Sequence, residues 1–261
     1  MENSIIRSLK IQARVIGALL LREVITRYGR HGIGILWLVV EPMLFTLGIT
    51  TIWYFGKLHK VTNIPIVAFS VTGYSTLLLW RAAANRCSKA IEPNLTLMYH
   101  RNVKVLDLFI TRVLLELAGG TASFLVIVMS FTAIGLMKLP LDIMTVIWAW
   151  LLLAWLAMGL GFVVGALSER SDTFERMWHV AQYLLFPLSG AVYMVDWLPH
   201  NLQAFVLWMP MVHGAEMIRH GFFGNVVVTH ENPAYFAFVN LLLTLIGLAL
   251  VRDLGKRVQP E

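Results

Sequence analysis

Little in this chain of 261 residues suits it for bond chemistry or for a water-soluble surface. Its single cysteine, Cys87, excludes an internal disulfide and a multi-thiolate metal centre. Charged residues are only 14% of the sequence, well below the roughly 25% of an ordinary soluble domain. There is no phosphate-cradling Gly-rich loop ending in Lys, no zinc-spaced His and Cys set, no carboxylate pair on one expected helix face and no nucleophile elbow. The eight histidines are scattered singly. The chain is therefore expected to be neither an enzyme nor the holder of a metal or cofactor. Residues 1–30 also lack the compact apolar core and small-residue cleavage site of a secretory signal, because basic side chains recur throughout.

What fills the sequence is hydrocarbon: 58% of it is hydrophobic, with a mean hydropathy of +0.71. Six apolar stretches, Ile33–Gly56, Ile64–Trp80, Val113–Met137, Ile143–Leu167, Met177–Val195 and Ala234–Val251, each approach the ~17–25 residues needed to cross a bilayer. The expected fold is thus an all-α polytopic membrane protein with six spans over residues 31–252 and both termini on one side. Seventeen Lys and Arg residues fall in the termini and alternate loops; only Lys57, Lys60, Lys138 and Arg219 fall in the opposite loops. This asymmetry predicts cytoplasmic termini, including the tail 253–261. The net charge of +6 reads as a topology signal and as contact with anionic lipid, not with nucleic acid.

Within residues 1–30, Ile5, Leu9, Ala13, Ile16, Leu20 and Val24 recur at helical spacing, with Arg7, Lys10 and Arg14 on the other face. This predicts an amphipathic helix along the cytoplasmic interface. The first span carries Glu41 directly before Pro42, so a bend near Leu38 and an inward-facing carboxyl are expected. The second span is expected to loosen at Gly73–Thr76 and to end in an interfacial pair, Trp80 and Arg81. The following segment, 90–105, predicts a short projecting helix that begins at Glu92-Pro93-Asn94. Leu95 and the polar surface of Tyr99, His100, Arg101 and Asn102 complete it.

Gly119, Gly120, Ala122 and Ser123, and the Ala157/Gly161/Gly165 repeat, predict close helix packing. Arg112 and Glu116, four residues apart, are expected to pair locally with little net gain. Pro187, Ser189 and Gly190 break the fifth stretch, and Asp196-Trp197-Leu198-Pro199 marks a reversal. One or two short helices that do not span are expected over Asn201–Phe223.

The order of these features resembles the membrane subunit of capsular-polysaccharide ABC exporters, within the type-2 ABC permeases. The strings that carry the resemblance are Arg27-Tyr28-Gly29 with Gly34, Trp37, Glu41 and Pro42, then Glu92-Pro93-Asn94, Pro187-Leu188-Ser189-Gly190 and Asp196-Trp197-Leu198-Pro199. It runs from about residue 5 to residue 255. The resemblance implies an inner-membrane permease that pairs with a second copy of itself and with two nucleotide-binding subunits, which hold ATP and Mg. It implies that Glu92–Asn102 couples to the ATPase and that residues 187–225, with Pro187, Ser189, Gly190, Asp196 and Trp197, form an outer gate. It further implies a lipid-linked acidic polysaccharide as cargo, handed to a periplasmic co-polymerase and an outer-membrane exporter.

Sugar rings stack on aromatic faces and arginine suits planar anions. An entrance at Arg27, Arg30 and His31 and a path along Trp37, Glu41, Phe45, Tyr54, Tyr74, Tyr183 and Tyr193 are the candidates these residues supply. Two other readings stand beside this one: a permease for O-antigen or teichoic acid, and a secondary transporter.

Overall fold

The computed structural model describes residues 2–29, 36–56, 64–98 and 103–258; among them the chain is helical and contains no strand. The helices are α1 (Glu2–Tyr28), α2 (Trp37–Phe55), α3 (Ile66–Cys87), the single turn α4 (Leu95–Met98), α5 (Val105–Ala133), α6 (Ile143–Arg170), α7 (Asp172–Leu188), α8 (His200–Val206), α9 (Pro210–Phe223) and α10 (Pro233–Val258). Five of them, α2, α3, α5, α6 and α10, are long and apolar enough to cross a membrane. The stretch expected as the fifth span corresponds to α7, which has 17 residues and stops at Leu188.

Local chemistry sets several of these boundaries. The Asp107 carboxylate reaches back to accept from the Lys104 N–H at 2.9 Å and so caps the start of α5. Asp142 caps α6 by accepting from the Met144 and Thr145 N–H groups, and Ser171 caps α7 through the Phe174 N–H. Gly135, with φ of 75°, turns the chain between α5 and α6.

The C-terminal ends of α3, α6 and α10 and the first turns of α5 meet at one end of the bundle. There Arg170 donates to Asp253 at 2.7 Å, and Lys89 lies 2.5 Å from Asp172. This is the basic end; the loops before α6 and α10 mark the far end. α3 is the central helix, with 78% of its apolar window buried, whereas α2 has 11% and stands at the edge.

Small residues let the backbones close in. A Cβ on Gly119 would overlap Leu38, including the Leu38 carbonyl that Pro42 leaves without its usual donor. Gly161 and Gly165 of α6 receive Cys87, which is wholly buried as a core residue. Indole N–H groups cross-link helices, Trp150 to Thr121 and Trp155 to Thr244, each at 2.9 Å.

Three expectations need correction. α3 does not loosen at Gly73–Thr76 or end at Trp80: it continues to Cys87 because Ala82, Ala83 and Ala84 favour helix, and Trp80 is 1% exposed in the core. Arg112 and Glu116 do not pair with each other. Arg112 reaches Glu23 at 3.6 Å and the Arg86 carbonyl at 2.7 Å, while Glu116 faces Arg27 and Arg86. Arg219 is no loop residue but a fully buried member of α9. α1 meets the bundle through Gln12, which bonds Asp107, through Arg22, which bonds Asn94 at 2.5 Å, and through buried Leu19.

Candidate functional site

A cavity of about 550 Å³ opens toward the basic end among α1, α2, α3, α5 and α7. Its apolar lining is Leu38, Pro42, Phe45, Leu78, Leu79, Ala82 and Gly120. Its polar lining is Arg27, Arg81, Asn85, Arg86, Glu41, Glu116 and His179. Three guanidiniums against two carboxylates leave that polar lining cationic. Arg27 of α1 contacts Glu116 directly and Glu41 at 3.4 Å; Arg86 of α3 contacts Glu116 at 3.1 Å and Glu41 at 3.8 Å. Four helices are thus joined by one ionic ring. Glu116 is its buried member and Glu41 its exposed one, at 10% and 61% side-chain exposure.

Arg81 is held by Gln182 of α7 at 3.0 Å and lies 5.0 Å from the Tyr183 ring centre. Asn85 bonds both Gln182 and the Trp178 indole. An amphiphile with an anionic head fits such a lining: arginines suit the head, and the apolar side chains suit the chain.

From Phe45 on the cavity wall a file of rings climbs toward the far end. Phe45 meets Tyr74 at 6.0 Å, Tyr74 meets Trp53 at 5.9 Å, Trp53 stacks on Phe69 at 5.9 Å and Phe69 stacks on Trp197 at 5.1 Å. Tyr74 and Phe69 are buried packing residues of this file, so Tyr74 does not line an open path in the single chain. Trp37, Phe45, Tyr54, Tyr183 and Trp197 are exposed. Tyr193 is half-buried, with its hydroxyl unpaired. Arg30 and His31 lie outside the described residues.

A second surface lies at the basic end, just beyond α3. A 3-10 turn, Glu92–Asn94, runs directly into α4. Glu92, Pro93, Leu95 and Thr96 point outward, while Asn94 is buried, donating to the Ala90 carbonyl and accepting from Arg22. The turn is tied back by the Ile91 N–H, which donates to Glu169 at 2.6 Å, and by Lys89 on Asp172. The hydrogen bond to Asp172 holds the Lys89 ammonium above its ordinary pKa, so the pair stays intact throughout neutral pH. Tyr99, His100, Arg101 and Asn102 lie outside the described residues.

At the far end, Pro187 sits in the last turn of α7, and Ser189 and Gly190 follow, buried, with Gly190 at φ 76°. Asp196 is exposed and 3.5 Å from His230.

Residues 14–223 match the ABC-2 type transporter family. The chain belongs to that family. It is 47% identical over 260 residues to the capsule polysaccharide export inner-membrane protein CtrC of Neisseria meningitidis serogroup A / serotype 4A, covering 100% of this chain and 98% of that one. To the capsule polysaccharide export inner-membrane protein BexB of Haemophilus influenzae it is 44% identical over 255 residues, 98% of this chain and 96% of the relative. The polysialic acid transport protein KpsM of Escherichia coli is 28% identical over 93% of this chain and 94% of its own length. The chain is accordingly the membrane subunit of an ABC-type transport system, and it crosses the membrane several times.

Sequence reasoning missed Arg81, Arg86, Glu116 and His179 as cavity residues. A helix carried past Trp80 would have shown the first two, because Leu78, Ala82 and Arg86 recur every fourth residue on one face with Arg81 and Asn85 beside them; Glu116 of α5 and His179 of α7 join them only through tertiary packing.

Proposed function

We propose that this protein is the membrane subunit of an ATP-driven exporter that moves lipid-linked capsular polysaccharide across a bacterial inner membrane, its basic end cytosolic. The observation that carries this reading is similarity over nearly the whole chain to relatives that bear capsule-export names at 44–47% identity. The site's chemistry agrees with it. A cavity lined by both cationic and apolar side chains suits a lipid anchor with an anionic head, and exposed rings of α2 and α7 suit sugar.

On this reading α7 is the sixth crossing, completed by the residues just past Leu188, and both termini are cytosolic. Positive charge concentrated at the basic end supports that orientation. Glu92, Pro93, Leu95 and Thr96 form the outward face that seats in the nucleotide-binding subunit, Asn94 ties that face to α1, and Tyr99, His100, Arg101 and Asn102 are assigned to the same coupling role. ATP and Mg are bound by the partner subunit. A second copy of the chain closes the channel against the exposed faces of α2 and α7, where Leu44, Ile52, Val180 and Leu184 are open. Arg27, Arg30, His31 and Glu41 stand at the entrance, and Pro187 to Trp197 at the outer end, facing a periplasmic co-polymerase and an outer-membrane exporter.

The test is complementation. A capsulated strain deleted for its own permease and supplied with this chain and its cognate ATPase subunit is expected to regain surface polysaccharide. Surface polysaccharide that stays absent, with the chain present in the membrane, would refute the reading.

A further inference from the structure

The far end contains a charge that no transport step described above uses. Arg219 is 0% exposed. Its guanidinium donates to three consecutive-region carbonyls just past α7: Gly190 at 2.6 Å, Ala191 at 2.7 Å and Tyr193 at 2.5 Å. It also lies 3.9 Å from the centre of the Phe69 ring of α3. One turn earlier on α9, buried Glu216 accepts from the Val195 N–H at 3.3 Å and from the His230 N–H at 3.2 Å. One helix face therefore pins both ends of the 190–195 segment.

The same segment is wedged against α3. A Cβ on Gly73 would run into the Ala191 carbonyl and the Arg219 guanidinium, so only glycine permits this approach. α9 is in turn fixed to α6: Gly214 rests on Leu153, and the Asp142 N–H donates to the Gly221 carbonyl at 2.9 Å.

α7 leads into this anchor through a break, with Pro187 inside its last turn and Gly190 at φ 76°. Toward its other end α7 is held by side chains alone: Trp178 donates to Asn85 of α3, Gln182 accepts from Asn85 and Arg81, and Asp172 meets Lys89 at the surface, while Met177, Val180, Tyr183 and Leu184 present an open face. Lys89 stands just before the outward Glu92–Leu95 face, and α7 contributes His179 to the cavity.

We infer that Arg219 is a positioning residue for export: it fixes the far end of α7, so that the helix swings as a lever about Pro187–Gly190 while its basic end opens and closes the cavity. The 190–195 segment is then a fixed pivot rather than a moving gate. The exposed Lys89–Asp172 pair is the contact that parts as the basic end of the lever swings. The inference rests on the exporter reading, and its test separates the two.

Two matched surface ion pairs provide the comparison. Lys89→Cys with Asp172→Cys sits at the swinging end; Arg170→Cys with Asp253→Cys joins α6 to α10 beside it without touching α7. Each is joined by a short, reducible bis-methanethiosulfonate in cells carrying the full complex. Cys87 stays in place because its sulfur is buried. Cross-linking the first pair is expected to lower export about tenfold or more, since a trapped gating step limits turnover, and reductant restores it. Cross-linking the second is expected to leave export within about twofold. Export that persists with the first pair joined, or stops with the second, overturns the pivot.

Arg219→Lys, which keeps charge but loses the planar fork, is expected to retain part of the export, and Arg219→Gln to lose about tenfold while ATPase association and hydrolysis continue. Normal export by Arg219→Gln overturns the role; if that variant fails to accumulate, the cross-links decide alone. A chain without cross-links that never restores export refutes the exporter reading instead.

Discussion

The two ends of the bundle hold their arginines in opposite ways. At the basic end Arg27 and Arg86 share Glu116 and Glu41 among four helices, and the Arg86 and Glu41 side chains are 43% and 61% exposed. At the far end Arg219 is sealed from water and bonded to main-chain carbonyls of one short segment. Water-accessible ion pairs are worth little and exchange partners easily. A buried guanidinium leaves uncompensated acceptors if it moves away. The same residue type thus marks a part built to rearrange and a part built to stay.

The sharpest way to break this comparison is Arg219→Met. It strands three buried carbonyls without their donor, a loss on the order of 3–5 kcal/mol. The thermal midpoint of the purified chain in detergent is expected to fall accordingly; an unchanged midpoint would remove the far-end clamp from the account. Gly73→Val comes next, at about 2–3 kcal/mol, because the obstacle is a backbone carbonyl that cannot step aside. The same thermal measurement checks it.

At the basic end the effects shrink. Glu116→Gln removes the shared carboxylate of Arg27 and Arg86 and is expected to cost about 1–2 kcal/mol. Glu41→Gln is expected to cost under about 1 kcal/mol while still changing the export rate, because the exposed carboxylate contributes to the cavity's charge more than to stability. Smallest of all is Lys89→Gly. It loses a surface pair worth about 0–1 kcal/mol and relieves a φ of 48° that costs a side-chain-bearing residue about 1–2 kcal/mol. Stability is expected to stay within about 1 kcal/mol of the parent by denaturation, with any loss confined to coupling.

Long apolar runs and the small-residue repeats made the helical membrane architecture readable before any coordinates, because span length and close approach depend on local composition. Trp80 and Arg219 were misread for a common reason. Both residue types often mark interfaces, and burial depends on which helix arrives from elsewhere: α3 running on to Cys87 in one case, α9 folding back on α6 in the other. Arg112 and Glu116 were misread by assuming that neighbours on one helix pair before α1 and α3 supply partners. The aromatic file from Phe45 to Trp197 joins residues far apart in sequence, and no periodicity announces it. Glu41 beside Pro42 did carry a signal, an ionisable group in an apolar run, and the structure sets it on the cavity wall.

The most direct test of the central claim, a membrane subunit that docks a separate ATPase through the outward Glu92–Leu95 face, is co-purification with the cognate nucleotide-binding subunit. The parent chain and Leu95→Asp are compared for co-elution and ATP hydrolysis. The account predicts a stable, ATP-hydrolysing complex with the parent and loss of co-elution with Leu95→Asp at unchanged membrane level. A parent chain that never binds the ATPase subunit, or a Leu95→Asp chain that binds as tightly as the parent, would contradict it.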